Sequence, residues 1–205
     1  MGKGRLEAFS DGVIAIIITI MVLELEPPHG ASLAALEHAL PVLSGYALSF
    51  VYVGIYWNNH HHLFQAVRGI NGSVLWLNLH LLFWLSLLPF VTAWMGEAGV
   101  ATVPVAAYGG VLFMCAASYA ILEHRLAGLH GANASLAQAI GSDRKGWISL
   151  VLYACGIALG FVHAWLGLAV YVLVALVWFI PDRRIERTFE READLARQQA
   201  SERQY

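Results

Sequence analysis

The chain contains 205 residues, of which 59% are hydrophobic and only 13% are charged. An ordinary soluble domain carries about a quarter charged residues, so this composition excludes a typical water-soluble fold and indicates a protein solvated by lipid. The formal net charge is −2, and the two cysteines, Cys115 and Cys155, lie inside apolar runs where no disulfide framework is expected.

Six apolar stretches are long enough to cross a hydrocarbon core as helices, which takes about 20 residues. No stretch has the alternating pattern of a membrane β-strand, so we predict an all-α membrane protein. Pro27 and Pro28 end the first stretch, because proline lacks the backbone donor that a continuing helix needs. The predicted spans are residues 6–25, 38–64, 74–95, 101–122, 147–163 and 165–181.

The first stretch follows two cations, Lys3 and Arg5, which is also how a signal peptide begins. Asp11 interrupts the apolar run, however, and Glu24 follows it. We therefore expect a retained transmembrane helix. A carboxylate inside a bilayer costs on the order of a few kcal/mol, so Asp11 should face protein and have a partner.

Polar residues on the second and third helices could supply that partner. They are Asn58, Asn59, His60, His61, His62, Asn78 and His80, all near the ends where Asp11 also lies. A metal site is one interpretation, since histidine nitrogens are metal ligands. Adjacent histidines point about 100° apart on a helix, however, which favours structural hydrogen bonding and predicts no metal centre.

Other chemistries receive little support. A bis-histidine haem could pair His61 with His124 or His163, but we place His163 at the opposite membrane face from the other histidines, and the haem receives little support. A Schiff base is excluded because Lys3 and Lys145, the only lysines, lie outside the spans. Ser10 and Asp11 are adjacent and point apart, so they do not form a hydrolytic set, and we expect no enzyme.

The cations lie on one side of the predicted bilayer. Lys and Arg total 12, and none falls in the connections after the first, third or fifth span. The positive-inside rule then predicts a multi-pass protein with both termini in the cytoplasm. Four acids remain on the outside, either as solvated helix ends or as an anionic mouth; they are Glu24, Glu26, Glu37 and Glu97.

The domain organisation follows from this pattern. Residues 1–181 are predicted to form one six-helix transmembrane domain, and residues 133–140 a short helix in the longest connection. Residues 182–205 are predicted to form a charged cytoplasmic helix or tail.

A resemblance to a known family begins in the first helix. Arg5 and, after three intervening residues, Phe9-Ser10-Asp11 open a helix that resembles that of the transmembrane protein 175 family of potassium channels. Trp57 and His61 on the second helix, Asn78 on the third, and Pro89-Phe90 extend the resemblance over most of the chain before the tail.

The resemblance implies a homotetramer with six helices per subunit, in which the first helix of each subunit lines a pore. The implied constriction is Ile16, Ile20 and Leu23, with Thr19 at the level that the family associates with potassium preference. The usual potassium filter sequence is absent. Arg5, Phe9, Ser10 and Asp11 are then structural positions, together with Trp57, His61 and Asn78, and Glu24 and Glu26 are acids at the outer mouth.

Helical periodicity is compatible with this assignment. Phe9, Ile16, Ile20 and Leu23 fall within roughly 60° of one another, whereas Asp11 lies about 140° from Ile16. An aliphatic stripe alone usually indicates packing or a lipid-facing surface, so the resemblance carries the pore interpretation.

We therefore expect a modestly selective potassium channel in the inner (plasma) membrane, with passive conduction and a hydrophobic gate. We expect no cofactor and no nucleic-acid partner, with potassium as the permeant ion. The alternatives are a proton- or metal-coupled transporter that uses Asp11 with the histidine layer, and a non-conducting scaffold or haem protein.

Overall fold

The computed structural model describes residues 2–67, 69–130 and 144–179 of the chain. Within these ranges all regular structure is helical, with no strand, which confirms the predicted all-α class. The helices are α1 (Lys3–Leu23), α2 (Leu33–Gln65), α3 (Gly72–Leu85), α4 (Leu88–Glu97), α5 (Thr102–His130), α6 (Arg144–Val162) and α7 (Ala164–Phe179).

These helices form the six predicted spans, because α3 and α4 together make one continuous crossing, Gly72–Glu97. The crossing is interrupted at Ser86 and Leu87, just before Pro89 in the first turn of α4. Proline cannot donate a backbone hydrogen bond to the preceding turn, which accounts for the break. Five spans are long and apolar enough to cross a membrane, and α7 is a shorter apolar helix of 16 residues.

Two spans are longer than predicted. Helix α2 begins at Leu33 because the Ser32 side chain accepts a hydrogen bond from the Ala35 amide at 3.2 Å and caps the helix. Helix α5 continues to His130, and Leu126 on this extension is completely buried. The predicted short helix at 133–140 and the tail at 182–205 lie outside the described residues.

Small residues allow the C-terminal helices to pack closely. A Cβ atom added to Gly167 of α7 would lie only 2.8 Å from the Gly156 carbonyl oxygen of α6. Tyr171, completely buried, fills the space between α5 and α6 next to Gly109 and Gly156. Glycines at such contacts let helix backbones approach, which is a common way to associate helices in membranes.

The described cations gather at one end of the bundle, which we call the basic end. Three contacts link helix termini there: Lys3 Nζ donates to the Val67 carbonyl at 2.9 Å, Arg125 Nε donates to Ser73 Oγ at 3.0 Å, and Lys145 Nζ lies 4.9 Å from the Trp178 ring centre. Arg5 and Arg144 lie at helix starts on the same side. The opposite end, the acidic end, carries Glu24, Glu26, Glu37 and Glu97.

Candidate ion-conduction surface

Helix α1 has two faces with different environments. One face packs against the rest of the chain, and its residues recur every three or four positions; they are Leu6, Ser10, Ile14, Ile17 and Met21. This spacing follows the helical repeat of 3.6 residues per turn. The other face is largely exposed in the single chain.

The predicted constriction residues lie on this uncovered face. Ile16 is 57% exposed, Ile20 is 41% exposed and Leu23 is 81% exposed. Phe9 lies two turns before Ile16 on α1 and is also exposed. The chain by itself thus presents an apolar face of α1 that must be covered by lipid or by other copies.

Thr19 is the polar residue placed between Ile16 and Ile20 on the exposed side of α1. Its hydroxyl donates to the Ile16 carbonyl at 2.8 Å. Because the proton is used within the helix, the remaining lone pairs of the oxygen stay available as acceptors. The hydroxyl can therefore present partial negative charge to a cation.

The exposed face of α1 leads towards the acidic end along a cleft of about 670 Å³ between α1 and α4. Ile16 and Ile20 line its apolar part, and Glu24 and Glu97 also line it. A neighbouring cleft of about 650 Å³ shares Glu24 and Glu97 and adds Glu26. Acidic side chains thus stand beyond the aliphatic residues, where they would attract cations.

A buried hydrogen-bond chain joins α1, α2 and α3. Asn78 Nδ2 donates to Ser10 Oγ at 2.9 Å, and Asn78 Oδ1 lies 2.8 Å from His60 Nε2. Ser10 in turn donates to the Leu6 carbonyl at 2.9 Å. All three side chains are almost completely buried. We call Ser10, Asn78 and His60 the buried polar triad.

A second polar group lies on the exposed side. The Trp57 indole donates to Asp11 Oδ1 at 3.1 Å, and the Trp57 ring stacks on His61 with 6.1 Å between ring centres. Gln65 Nε2 lies 2.8 Å from His61 Nε2. Asp11 is exposed and, among the described residues, hydrogen-bonds only to α2, so the polar residues near it form two separate groups.

The remaining residues of the motif contribute less contact. Arg5 and Phe9 are exposed, and Arg5 has no ion pair with any residue in the described ranges. The ion pair at this helix start joins Lys3 and Glu7, whose atoms are 4.0 Å apart.

The histidines are engaged with separate partners. His60 bonds to Asn78, His61 to Gln65, and His80 accepts from the Trp84 indole at 3.3 Å. In the part of the chain that the structure describes, no three His, Cys, Asp or Glu side chains converge for a metal ion. The histidine layer is arranged for structural hydrogen bonds.

His60 belongs to the site, although the sequence motif pointed to its neighbour His61. Burial on α2 recurs at helical spacing through Tyr52, Tyr56, His60 and Phe64. This apolar periodicity is the signal that identifies His60 as the inward-facing member of the three adjacent histidines.

Comparisons with known proteins identify the family of the chain. Residues 5–89 match the family model described as endosomal/lysosomal potassium channel TMEM175. A potassium channel from Chryseobacterium sp. (strain P1-3) is 56% identical over 190 residues, a match that covers 93% of this chain and 99% of that protein. A potassium channel from Streptomyces collinus is 32% identical, covering 86% of this chain and 91% of the relative.

A solved structure extends the similarity to the fold. The crystal structure of a lysosomal potassium-selective channel TMEM175 homolog from Chamaesiphon minutus superposes with a TM-score of 0.77 at 28% sequence identity. The match covers 87% of this chain and 96% of that chain, and therefore includes nearly all the helices described above. The chain belongs to the TMEM175 family of potassium channels.

Proposed function

We propose that this chain forms a potassium channel whose conduction path is lined by the uncovered face of α1. The observation that carries this proposal is the division of α1 into a buried face and an exposed one that bears Ile16, Thr19 and Ile20. The similar proteins named as potassium channels support the choice of ion. The chain acts as a channel and not as an enzyme.

The path requires several copies of the chain, because a single α1 offers only one wall. A homotetramer would bring four α1 helices around a common axis and cover their exposed faces with one another. Chemical cross-linking of the purified protein should give a ladder that ends at four subunits. A product that ends at two subunits would contradict the tetramer.

Rings of Ile16, Ile20 and Leu23 then form the constriction. Such a ring conducts only when it is wide enough to hold water, so a small dilation of the α1 helices would open the pore and a small contraction would dewet it. Conduction is passive, and no cofactor takes part. Potassium is the permeant ion.

Preference for potassium should be modest, since no backbone-carbonyl filter replaces the hydration shell of the ion. Thr19 is the polar residue nearest in the sequence to the constriction residues. Its hydroxyl oxygens supply the preference for potassium. Glu24 and Glu26, at the acidic end, raise the local concentration of cations at the outer mouth.

The orientation follows from the charges. The basic end faces the cytoplasm according to the positive-inside rule, so both termini are cytoplasmic and α1 crosses outward from Lys3 to Leu23. We place the protein in the plasma (inner) membrane, with residues 1–181 as the channel domain and 182–205 as a cytoplasmic tail.

The decisive experiment replaces one constriction residue with a polar one. Ile16→Asn should raise potassium flux in reconstituted liposomes at least about threefold, because the amide lets the ring hydrate. Val151→Asn, at an exposed apolar position of α6, is the matched control and should leave flux unchanged. Equal flux from Ile16→Asn and the unmodified protein would overturn the pore assignment.

A further inference from the structure

A groove of about 550 Å³ lies on the outer surface of α5, between α3 and α6. Its floor contains Ala117 and Ala120, whose small side chains leave space above this part of α5. Leu77 of α3 forms one wall, and Trp147 and Leu150 of α6 form the other. The groove is therefore an apolar depression on the surface of the bundle.

The end of the groove is basic. Its lining includes the exposed side chains of His124 and Arg125 and no acidic residue. Arg125 Nε donates to Ser73 Oγ, and Ser73 donates to Asn71 Oδ1 at 2.7 Å, so the guanidinium is held in place by the cap of α3. Its terminal amino groups have no hydrogen-bond partner among the described residues.

The polarity changes along the groove at the level where a membrane surface is expected. Trp147, at the start of α6 and 62% exposed, marks that boundary, because tryptophan is enriched at membrane interfaces. Arg144 is exposed in the first turn of the same helix. Arg125 and the Trp147 indole thus line a largely apolar groove, and Arg144 lies about one turn before Trp147 on α6.

We propose that this groove binds an anionic phospholipid, with an acyl chain along Ala117 and Ala120 and the phosphate at Arg125. Charge complementarity supports this occupant, since a guanidinium presents paired donors that match phosphate oxygens. Basic pockets between transmembrane helices also bind lipid head groups in general. The proposal concerns a peripheral surface and does not depend on ion conduction.

The test measures lipid binding to the purified full-length chain in detergent. Labelled phosphatidylglycerol and labelled phosphatidylcholine with the same acyl chains are titrated separately. We expect the anionic lipid to bind about five- to tenfold more tightly, from one or two favourable charge contacts. Arg125→Gln should abolish most of this preference, whereas Arg125→Lys should keep part of it.

Two further variants separate the groove from general surface charge. Arg5→Gln removes another exposed cation at the basic end outside the groove and should keep the lipid preference. Ala117→Leu fills the groove without changing charge and should weaken the binding of both lipids severalfold. Its helical content and elution volume should be unchanged. This variant tests the site even if Arg125→Gln fails to fold.

Several outcomes would overturn the proposal. If Arg125→Gln kept the preference for the anionic lipid, Arg125 would not bind the phosphate. If Arg5→Gln lost as much of that preference as Arg125→Gln, the cause would be the electric field of the whole basic end and not the groove. Displacement of the labelled lipid by inorganic phosphate at equal concentration would indicate a site for free phosphate. An altered oligomer size in Ala117→Leu with unchanged lipid binding would indicate that a second copy of the chain covers the groove.

Discussion

At the scale of single residues, hydrogen bonding decides which polar side chains the bundle can bury. Asn78 uses both ends of its amide, one towards Ser10 and the other towards His60, and so ties α1, α2 and α3 together. A buried polar group without a partner would cost free energy, and this arrangement removes that cost for three residues at once. The buried polar triad therefore sets how α1 sits against its neighbours.

Replacement of Asn78 by leucine should destabilise the protein. The change keeps the volume but leaves His60 and Ser10 without their shared partner, and interhelical hydrogen bonds in membranes contribute about 1 kcal/mol. Thermal unfolding in detergent should show a lower Tm for Asn78→Leu. Asn58→Leu is the control, because Asn58 has no hydrogen bond to the side chains of the described residues. Equal Tm values for both variants would contradict a structural role of the triad.

Replacement of Thr19 by valine should lower the preference for potassium over sodium. Valine keeps the shape but removes the oxygen that the Thr19 hydroxyl presents after it bonds to Ile16. The permeability ratio should fall about two- to threefold and approach one. Thr19→Ser retains the oxygen and should keep the ratio, as measured by reversal potentials with potassium on one side and sodium on the other. A ratio unaffected by valine would assign selectivity elsewhere.

At the scale of helices, contacts between α5, α6 and α7 depend on glycine. A Cβ atom on Gly109 would collide with the Tyr171 hydroxyl oxygen and would lie 2.9 Å from Ile157. Tyr171 is completely buried and cannot swing away without opening the contact. The adjacent Gly110 has no atom within 4 Å of the corresponding position.

The two neighbouring glycines therefore give a matched pair. Gly109→Ala should destabilise the protein by about 1–3 kcal/mol, because it overpacks the contact with Tyr171. Gly110→Ala should be neutral or should stabilise by up to about 1 kcal/mol, since alanine favours the helix. The stability of the two variants is compared by unfolding them in increasing concentrations of detergent or denaturant. The same change in stability for both variants would contradict a packing role of Gly109 against Tyr171.

At the scale of the whole molecule, charge is divided between the two ends. Cations in the described ranges lie at the basic end, and Glu24, Glu26 and Glu97 line clefts at the acidic end. The field of the acidic end should concentrate cations near the entrance that α1 would form. This effect depends on ionic strength, because salt screens charges over about 10 Å at 0.1 M.

The double change Glu24→Gln and Glu97→Gln should reduce potassium conductance at low ionic strength. The expected loss is about twofold near 0.01 M salt and should vanish near 1 M, where the screening length is about 3 Å. Glu37→Gln is the comparison, because Glu37 belongs to the acidic end but lines neither cleft, so its single removal should lower conductance less than the double change does. A loss that persisted at high salt would indicate structural damage in place of a field effect.

The sequence by itself determined the class, the number of spans and the family. Apolar runs of membrane length require helices, because lipid offers no partner for an unpaired backbone, and this information is local to each run. The Phe9-Ser10-Asp11 motif and the aliphatic spacing of Ile16, Ile20 and Leu23 are also local, and they identified α1 as the helix to consider for the pore.

Only the tertiary structure decided which polar residues meet. Asp11 and His60 both lie in polar stretches of their helices, yet Asp11 bonds to exposed Trp57, whereas His60 is buried against Asn78. These outcomes depend on the rotation of α1, α2 and α3 about their axes. That rotation is set by packing between distant segments, and both faces of α1 are apolar in sequence. Hydrophobic periodicity could not choose the buried face there; contact with the other helices did.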